Sequence, residues 1–306
     1  EEQFLFFCYN KDGDTMKHIF LLNTFSLKEE TINVKEIIEK ICKEEKIDYK
    51  IEINSNEKST EEIMGKYQKT NYIILPVGGD GTINRVLNKI AGTNNILGYI
   101  PAGTGNDFYR SNKELLKPWI HKIDLIKIND NYFINVACFG IGAEIGNHSD
   151  IIHSKWIPKK HRYNASLLKH FMTYKPRKMK VTIEEKEIDK EFTTIIICNA
   201  RYYGGGYKVG PLSSLQDGLM EVYLVEKTNR INMLGLICGI KYAFHENSKK
   251  VEKISTTSIS ISTEKEIEAN IDGEVLKSNQ FEVNLIPKGI KISYNKSLIE
   301  RIEKNM

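Results

Sequence analysis

No apolar run in this chain approaches the roughly 20 residues needed to cross a bilayer; even a well-defined one, residues 195–198, is a few positions long. Cysteine is scarce. The five, Cys8, Cys42, Cys138, Cys198 and Cys238, are odd in number, scattered and mostly set among apolar neighbours. That pattern argues against a disulfide framework and against a zinc cluster, and a reducing cytoplasm is the compartment expected. An excess of one charge is nearly missing too: 44 Lys and Arg face 40 Asp and Glu, for a net charge of +4. So mild a balance announces no nucleic-acid partner, and any basic function must be local. Internal repeats and low-complexity linkers are also absent.

The first residues lack the marks of a secretory signal. Glu1 and Glu2 stand where a basic segment would be, and the apolar stretch "FLFFCYN" is too short. "MKHIFLLN", from Met16, resembles a natural start, so residues 1–15 are expected to be an upstream extension; the alternative is an edge strand over residues 4–9.

What is present is a globular composition, 41% hydrophobic over 306 residues, enough for two domains of ordinary size. The first third alternates strand and helix. Residues 17–23 read as a buried strand, and Val34, Ile37, Ile38 and Ile41 follow at helical spacing. Ser59 with Glu62 forms a capping box, residues 72–77 are the next strand, 82–91 a helix and 97–100 another strand. This βαβ pattern predicts a parallel sheet covered by helices. After about Ile123 the pattern changes to short strands separated by turns, over residues 123–128, 132–136, 180–183, 191–198, 220–225, 258–262, 266–271, 281–285 and 288–294. An all-β second domain is expected, interrupted by an apolar helix over residues 231–244, with a last weak helix over 298–304.

The stretch "LPVGGDGTINRVLNKI" carries the chemistry. Gly78, Gly79, Asp80, Gly81 and Thr82 sit where a strand ends and a helix begins, the place where α/β sheets bind ligands. Glycines there let backbone N–H groups approach phosphate oxygens, and the helix N-terminus adds positive dipole. A bare βα connection is the bland alternative. Asp80 would repel phosphates unless a cation intervened, and magnesium suits that position. One strand later Pro101-Ala102-Gly103-Thr104-Gly105-Asn106-Asp107-Phe108 repeats the device and brings a second carboxylate to the same edge.

"GGDGTINRVLN" followed by "PAGTGNDFYR" resembles the catalytic domain of the diacylglycerol kinase and sphingosine kinase family, in particular its soluble bacterial lipid kinases. The first motif alone also occurs in NAD kinases and phosphofructokinases; the pair at this spacing is far more specific. "FINVACFGIGAEI", "GGGYKVGPLSSLQDGLMEVYLV" and "NIDGEVL" extend the likeness over nearly the whole chain from Met16. The resemblance implies an α/β, phosphofructokinase-like, parallel-sheet nucleotide domain over residues 16–124 and an all-β, sandwich-like lipid domain over 125–290. It places the active site in the cleft between them, and residues 291–306 would form a C-terminal strand and tail, with packing on the first domain and packing on the second both open.

Carried over residue by residue, the resemblance implies that Gly78, Gly79, Asp80, Gly81 and Thr82 bind ATP and its Mg²⁺, with Asn23 and Thr104 lining the same pocket. Read by itself, Asn23 is equally a turn former at a strand end. Asp272 matches the position of the family's general base, although an Asp-Gly pair between strands is also an ordinary hairpin turn. Glu274 would support it or face solvent. Ser214, Asp217 and Leu219 match a structural magnesium site, with a plain turn at Asp217-Gly218 as the alternative.

The stretch from His153 to Lys180 holds nine Lys and Arg and no acidic residue, interleaved with Trp156, Ile157, Leu167, Leu168 and Phe171. It suits an anionic lipid surface; nucleic acid using the same charges and a solvated face are the alternatives. Two positions depart from the family pattern. The first loop reads Asn23-Thr24-Phe25-Ser26-Leu27 without the usual proline and glycine, and Arg85 stands where a glutamate is usual. The function expected is an ATP- and magnesium-dependent lipid kinase phosphorylating the hydroxyl of diacylglycerol or a related lipid, cytoplasmic and peripherally attached to a membrane. An NAD kinase and a catalytically weak lipid or nucleotide sensor are the alternatives, and the sequence leaves a homo-oligomer open.

Overall fold

The computed structural model describes residues 16–55, 59–147 and 171–306. The extension at residues 1–15 and most of the basic stretch therefore lie outside the described residues. The chain divides into two units: residues up to Leu125 together with Pro287–Met306, and Ile126–Ile286.

The first unit begins with β1 (His18–Asn23), six residues without an exposed side chain. The short helix α1 (Thr24–Leu27) and a 3₁₀ turn lead into α2 (Thr31–Glu44), which buries Val34, Ile38, Ile41 and Cys42. β2 (Tyr49–Asn54) is a partly exposed strand that periodicity missed, because only one of its residues is fully buried. The Ser59 capping box opens α3 (Thr60–Gly65). β3 (Ile73–Gly78), α4 (Asp80–Ile90), β4 (Ile96–Leu97), β5 (Ile100–Pro101) and α5 (Asp107–Leu115) follow. β1 runs parallel to β2 and to β3, and β3 runs parallel to β4 and β5. The strand expected over residues 97–100 is thus two short pieces, separated where Gly98 approaches the Leu75 side chain.

The chain passes into the second unit within β6 (Trp119–Ile128). There β7 (Asn131–Phe133), β8 (Val136–Gly140), α6 (Ile141–Asn147), β9 (Arg177–Ile183), β10 (Lys186–Cys198), β11 (Met220–Glu226), α7 (Arg230–Ile240), β12 (Val251–Thr256), β13 (Ser258–Ile271) and β14 (Glu274–Tyr294) follow. Its pairings are antiparallel. Long strands do the work expected of several short ones. The first part of β10 pairs with β9 and its last part with β8, and β13 does the same with the same two partners. Each strand shifts register where it changes partner, at Phe192/Thr194 and at Ser262/Ile267. Bulged strands that switch sheets make the corners of a sandwich. Between the layers lies one apolar cluster including Phe133, Phe139, Phe192 and Phe281, all fully buried. After Gly140 the chain turns directly into helix α6.

β14 returns the chain to the first unit, where Ile292 runs parallel to Leu97, and α8 (Lys296–Asn305) closes it. Leu298, Ile299 and Ile302 of α8 are buried, and Arg301 bonds Glu44 and Glu45 of α2.

His18 is a measurable marker of the first unit's core. Its Nδ1 sits 3.0 Å from the Met16 carbonyl, the imidazole stacks on Phe20, and burial lowers its pKa from 6.5 to about 4. A base whose folded pKa is depressed stabilises the fold above the unfolded pKa, and that stability is lost as pH falls from 6.5 towards 4. Up to about 3 kcal/mol of stability should disappear across this window. Urea unfolding between pH 7 and 4.5 checks it: the midpoint should fall with pH, and His18→Gln should flatten that dependence. An unchanged slope in the variant would assign the pH dependence to other groups.

Candidate active site

The glycine turn follows from its neighbours. β3 is buried along its whole length, so the chain must leave the sheet abruptly, and a Cβ on Gly78 would sit 2.5 Å from Thr82 Oγ1. Gly79 then serves as N-cap of α4, its carbonyl accepting from Thr82 N and Ile83 N at 3.0 and 3.2 Å. Thr82 is buried, and Asn23 Nδ2 donates to its Oγ1 at 2.8 Å. Asn23 Oδ1 accepts from Phe25 N at 3.1 Å. Asn23 thus closes the end of β1 and bonds into the first glycine turn.

The second glycine turn lies directly on the first. A Cβ on Gly103 would meet Gly79 Cα at 2.4 Å and Gly79 N at 2.9 Å, so the two backbones touch with no room for a side chain. Asn106 adopts a left-handed conformation, φ 51°, and closes this turn: its Nδ2 donates to the Gly103 carbonyl and its Oδ1 accepts from Gly103 N, at 2.9 and 3.1 Å. Sequence reasoning did not single out Asn106, although an Asn before a helix is a recognisable signal.

Asp80, which the resemblance assigns to ATP and its magnesium, also has a structural role. Helix α5 has no side-chain cap from its own N-cap residue. Asp80 provides one from the first turn, with Oδ2 accepting from Asp107 N and Oδ1 from Phe108 N, each at 3.0 Å. Its carboxylate therefore pins the N-terminus of α5 to that of α4. Burial raises its pKa, and the backbone donors act in the opposite direction. Gly105 is needed nearby, since a Cβ there would come 3.1 Å from Asp80 Oδ2. Asp107 is buried at the start of α5, with Arg110 Nε 3.9 Å from its Oδ1. Thr104 is exposed on the rim and Gly81 half-buried in the first turn of α4.

The loop expected between Asn23 and Leu27 is helical, and Leu27 is buried in the core. A leucine here is a packing residue rather than a vacated phosphate contact, so restoring glycine would open a cavity. Arg85 is exposed on α4.

In the second unit Asp272 and Gly273 form the two-residue turn between β13 and β14, with φ of 49° and 92° and Ile271 paired to Glu274. This is the hairpin turn that the spacing allowed, yet its carboxylate is buried rather than solvated. Oδ2 accepts from Ile134 N at 2.9 Å, Oδ1 accepts from Val136 N at 2.9 Å, and Asn135 N lies 3.1 Å from Oδ1. Three successive backbone donors thus hold one carboxylate. Asn135, which sequence reasoning passed over, continues the network: its Nδ2 donates to the Tyr202 carbonyl, and Asn199 Nδ2 donates to that of Ile134. Glu274 is half-buried beyond the turn.

Ser214, Asp217 and Leu219 share one loop before β11. Asp217 Oδ1 accepts from Leu219 N at 3.1 Å and Gly218 has φ 76°, the geometry of a turn. Of the basic stretch, Lys175, Arg177, Lys178 and Lys180 are described; Lys175 is exposed, and acidic side chains lie near the other three: Glu144 at 3.9 Å, Asp189 at 2.9 Å and Glu187 at 2.9 Å.

Two glycine turns fused at the starts of two helices, and a second unit built as an antiparallel sandwich, define a catalytic domain carrying a β-sandwich-like domain. Known proteins share this arrangement. Residues 17–127 match the diacylglycerol kinase catalytic domain, and residues 135–294 match the YegS C-terminal NAD kinase beta sandwich-like domain. A Staphylococcus carnosus protein provisionally named a lipid kinase is 29% identical over 240 residues, covering 72% of this chain and 76% of that one. The diacylglycerol kinase of Bacillus subtilis is 26% identical over 222 residues, 66% of this chain and 71% of that one. Among solved structures, a diacylglycerol kinase from Bacillus anthracis shares the fold with a TM-score of 0.70 at 22% identity, covering 92% of this chain and 98% of that one. The chain belongs to the diacylglycerol kinase family of lipid kinases.

Proposed function

We propose that this kinase transfers the γ-phosphate of ATP, with Mg²⁺, to the hydroxyl of diacylglycerol or a related lipid. The observation that carries the reading is the pair of glycine turns in backbone contact at Gly79 and Gly103, with Asp80 clamping both helix starts. The residues fit a polyphosphate: the backbone is bare, half-buried and set at helix N-termini, where N–H groups and dipole favour anions. Gly78, Gly79, Gly81 and Thr82 would hold the nucleotide, and the phosphofructokinase-like character of the first unit belongs to this reading. ATP with its magnesium, when bound, supplies the phosphoryl group and neutralises charge developing on it. Asp80, each of whose carboxylate oxygens accepts a backbone N–H and keeps a further lone pair, would help to hold that ion. Asp272 receives the acceptor's hydroxyl proton, held in place by the three N–H groups of residues 134–136.

A lipid acceptor is supported by an apolar cavity of about 150 Å³ in the second unit, lined by Ile141, Ile145, Met233, Leu236 and Ile240 among others. NAD is the rival acceptor, at which the name of the sandwich family matching residues 135–294 hints without favouring it. Labelled γ-phosphate from ATP, offered in parallel to a panel of lipids in mixed micelles and to NAD, decides between them. Label is expected in diacylglycerol or a relative, only with magnesium, and not in NAD. Asp80→Asn should reduce turnover at least about 100-fold, since the amide can accept only one of the two helix donors and misplaces the turns. Labelled NAD with unlabelled lipid would overturn the reading, and nucleotide binding without transfer to any acceptor would favour the sensor.

A further inference from the structure

Helix α7 is apolar on two opposite faces, which a helix resting on a protein core does not require. Its inner residues Met233, Leu236 and Ile240 line the apolar cavity. Its outer face carries Ile231, 84% exposed, and Leu234, 52% exposed, one turn apart. The segment immediately after adds Tyr242 and Phe244, 65% and 66% exposed, with their rings 6.1 Å apart. Exposed apolar groups so large and so close mark an interaction surface.

The charges around this surface select its partner. From Lys227 to Lys250 the sequence holds Lys227, Arg230, Lys241, Lys249 and Lys250 against one acid, Glu246; Lys227 is paired with Glu191 at 2.8 Å, which leaves Arg230, Lys241, Lys249 and Lys250 to the surface. Glu246 is half-buried and accepts from the Tyr223 hydroxyl at 2.7 Å, so it faces the sandwich. Lys241 Nζ lies 5.8 Å from the Tyr242 ring centroid, the cation beside the aromatic. Isoleucine, leucine and aromatic side chains rimmed by lysine and arginine are the composition of a helix lying in the interface of an anionic bilayer.

We propose that the outer face of α7, with Tyr242 and Phe244, is a membrane-docking element that inserts shallowly into an anionic lipid surface. The assignment rests on the lipid-kinase reading for its purpose, because a helix that touches the bilayer outside and the apolar cavity inside offers a bilayer-resident acceptor a short path. It differs from the basic stretch at residues 153–180, most of which lies outside the described residues.

The test uses the full chain and vesicles of phosphatidylcholine with phosphatidylglycerol in about a 2:1 ratio. Wild-type protein should sediment with these vesicles and more weakly with pure phosphatidylcholine. Ile231→Ser with Phe244→Ser should reduce partitioning at least about tenfold, from the apolar area removed. Lys249→Gln with Lys250→Gln should weaken binding to the anionic vesicles alone. Phosphorylation of a short-chain diacylglycerol dispersed as monomers should stay within about twofold of wild type in the serine variant. Unchanged partitioning of that variant would overturn the proposal. So would a concentration-dependent dimer that the serine variant converts to monomer, because the face would then belong to a second copy. Vesicle binding that the serine variant abolishes, combined with no phosphorylation of any lipid by either protein, would uphold the docking element while removing the lipid-kinase reading.

Discussion

Gly103→Ala is expected to cost about 3 kcal/mol of stability and at least about 100-fold in kcat/KM for ATP. The added methyl would sit 2.4 Å from Gly79 Cα and 2.9 Å from Gly79 N. Both obstacles are backbone, so neither can rotate away as a flexible side chain would. The clash must separate the two turns, and the turns are where Asp80 joins α4 to α5 through bonds of 3.0 Å. A shift of 1 Å there breaks the cap and displaces the N–H groups assigned to the nucleotide. Gly65→Ala is the matched control: nothing lies within 4 Å of its added Cβ and it ends helix α3, so it should be neutral or slightly stabilising. Thermal melts and ATP kinetics on both variants check the expectation. Wild-type kinetics in Gly103→Ala would mean that the two turns do not act as one site.

Asp272→Asn should separate the anchoring of a loop from catalysis. Asparagine tolerates the left-handed conformation at φ 49°, so the turn itself survives. The amide offers one oxygen where the carboxylate offered two, and its NH₂ would face a backbone N–H with no acceptor between them. Losing a charge-assisted hydrogen bond at a buried site costs about 2 kcal/mol, which should lower the melting temperature by several degrees. Turnover should fall by about 10²- to 10⁴-fold if the carboxylate takes the acceptor's proton, with KM for ATP unchanged. The three donors at residues 134–136 add a loss of stability to the loss of turnover. Destabilised protein with wild-type kcat would leave Asp272 as an anchor of that loop and nothing more.

Asp80 has a role that its sequence reading did not include. A carboxylate among glycines suggested a cation, because charge next to phosphate needs compensation. That Asp80 also caps a helix 27 residues later depends on two turns meeting in space, and no local pattern reports it. Leu27 departs from its reading for the same reason: against a family pattern it looks like a lost glycine, whereas its burial shows a core side chain on a helix.

By itself the sequence determined the elements whose periodicity is local: the buried strands β1 and β3, the amphipathic helices α2 and α4, and the two glycine turns recognisable as a pair. The switch from alternating helix and strand to turn-separated strands near Ile123 is likewise legible locally. Tertiary structure decided what depends on distant partners. It merged residues 258–262 with 266–271 into the single bulged strand β13, because β9 and β8 supply successive edges for it to pair with. It also turned the Asp272 carboxylate inward. An Asp-Gly turn specifies backbone dihedrals only, and the direction of its side chain was set by three N–H groups, of Ile134, Asn135 and Val136, more than a hundred residues earlier that needed an acceptor out of water.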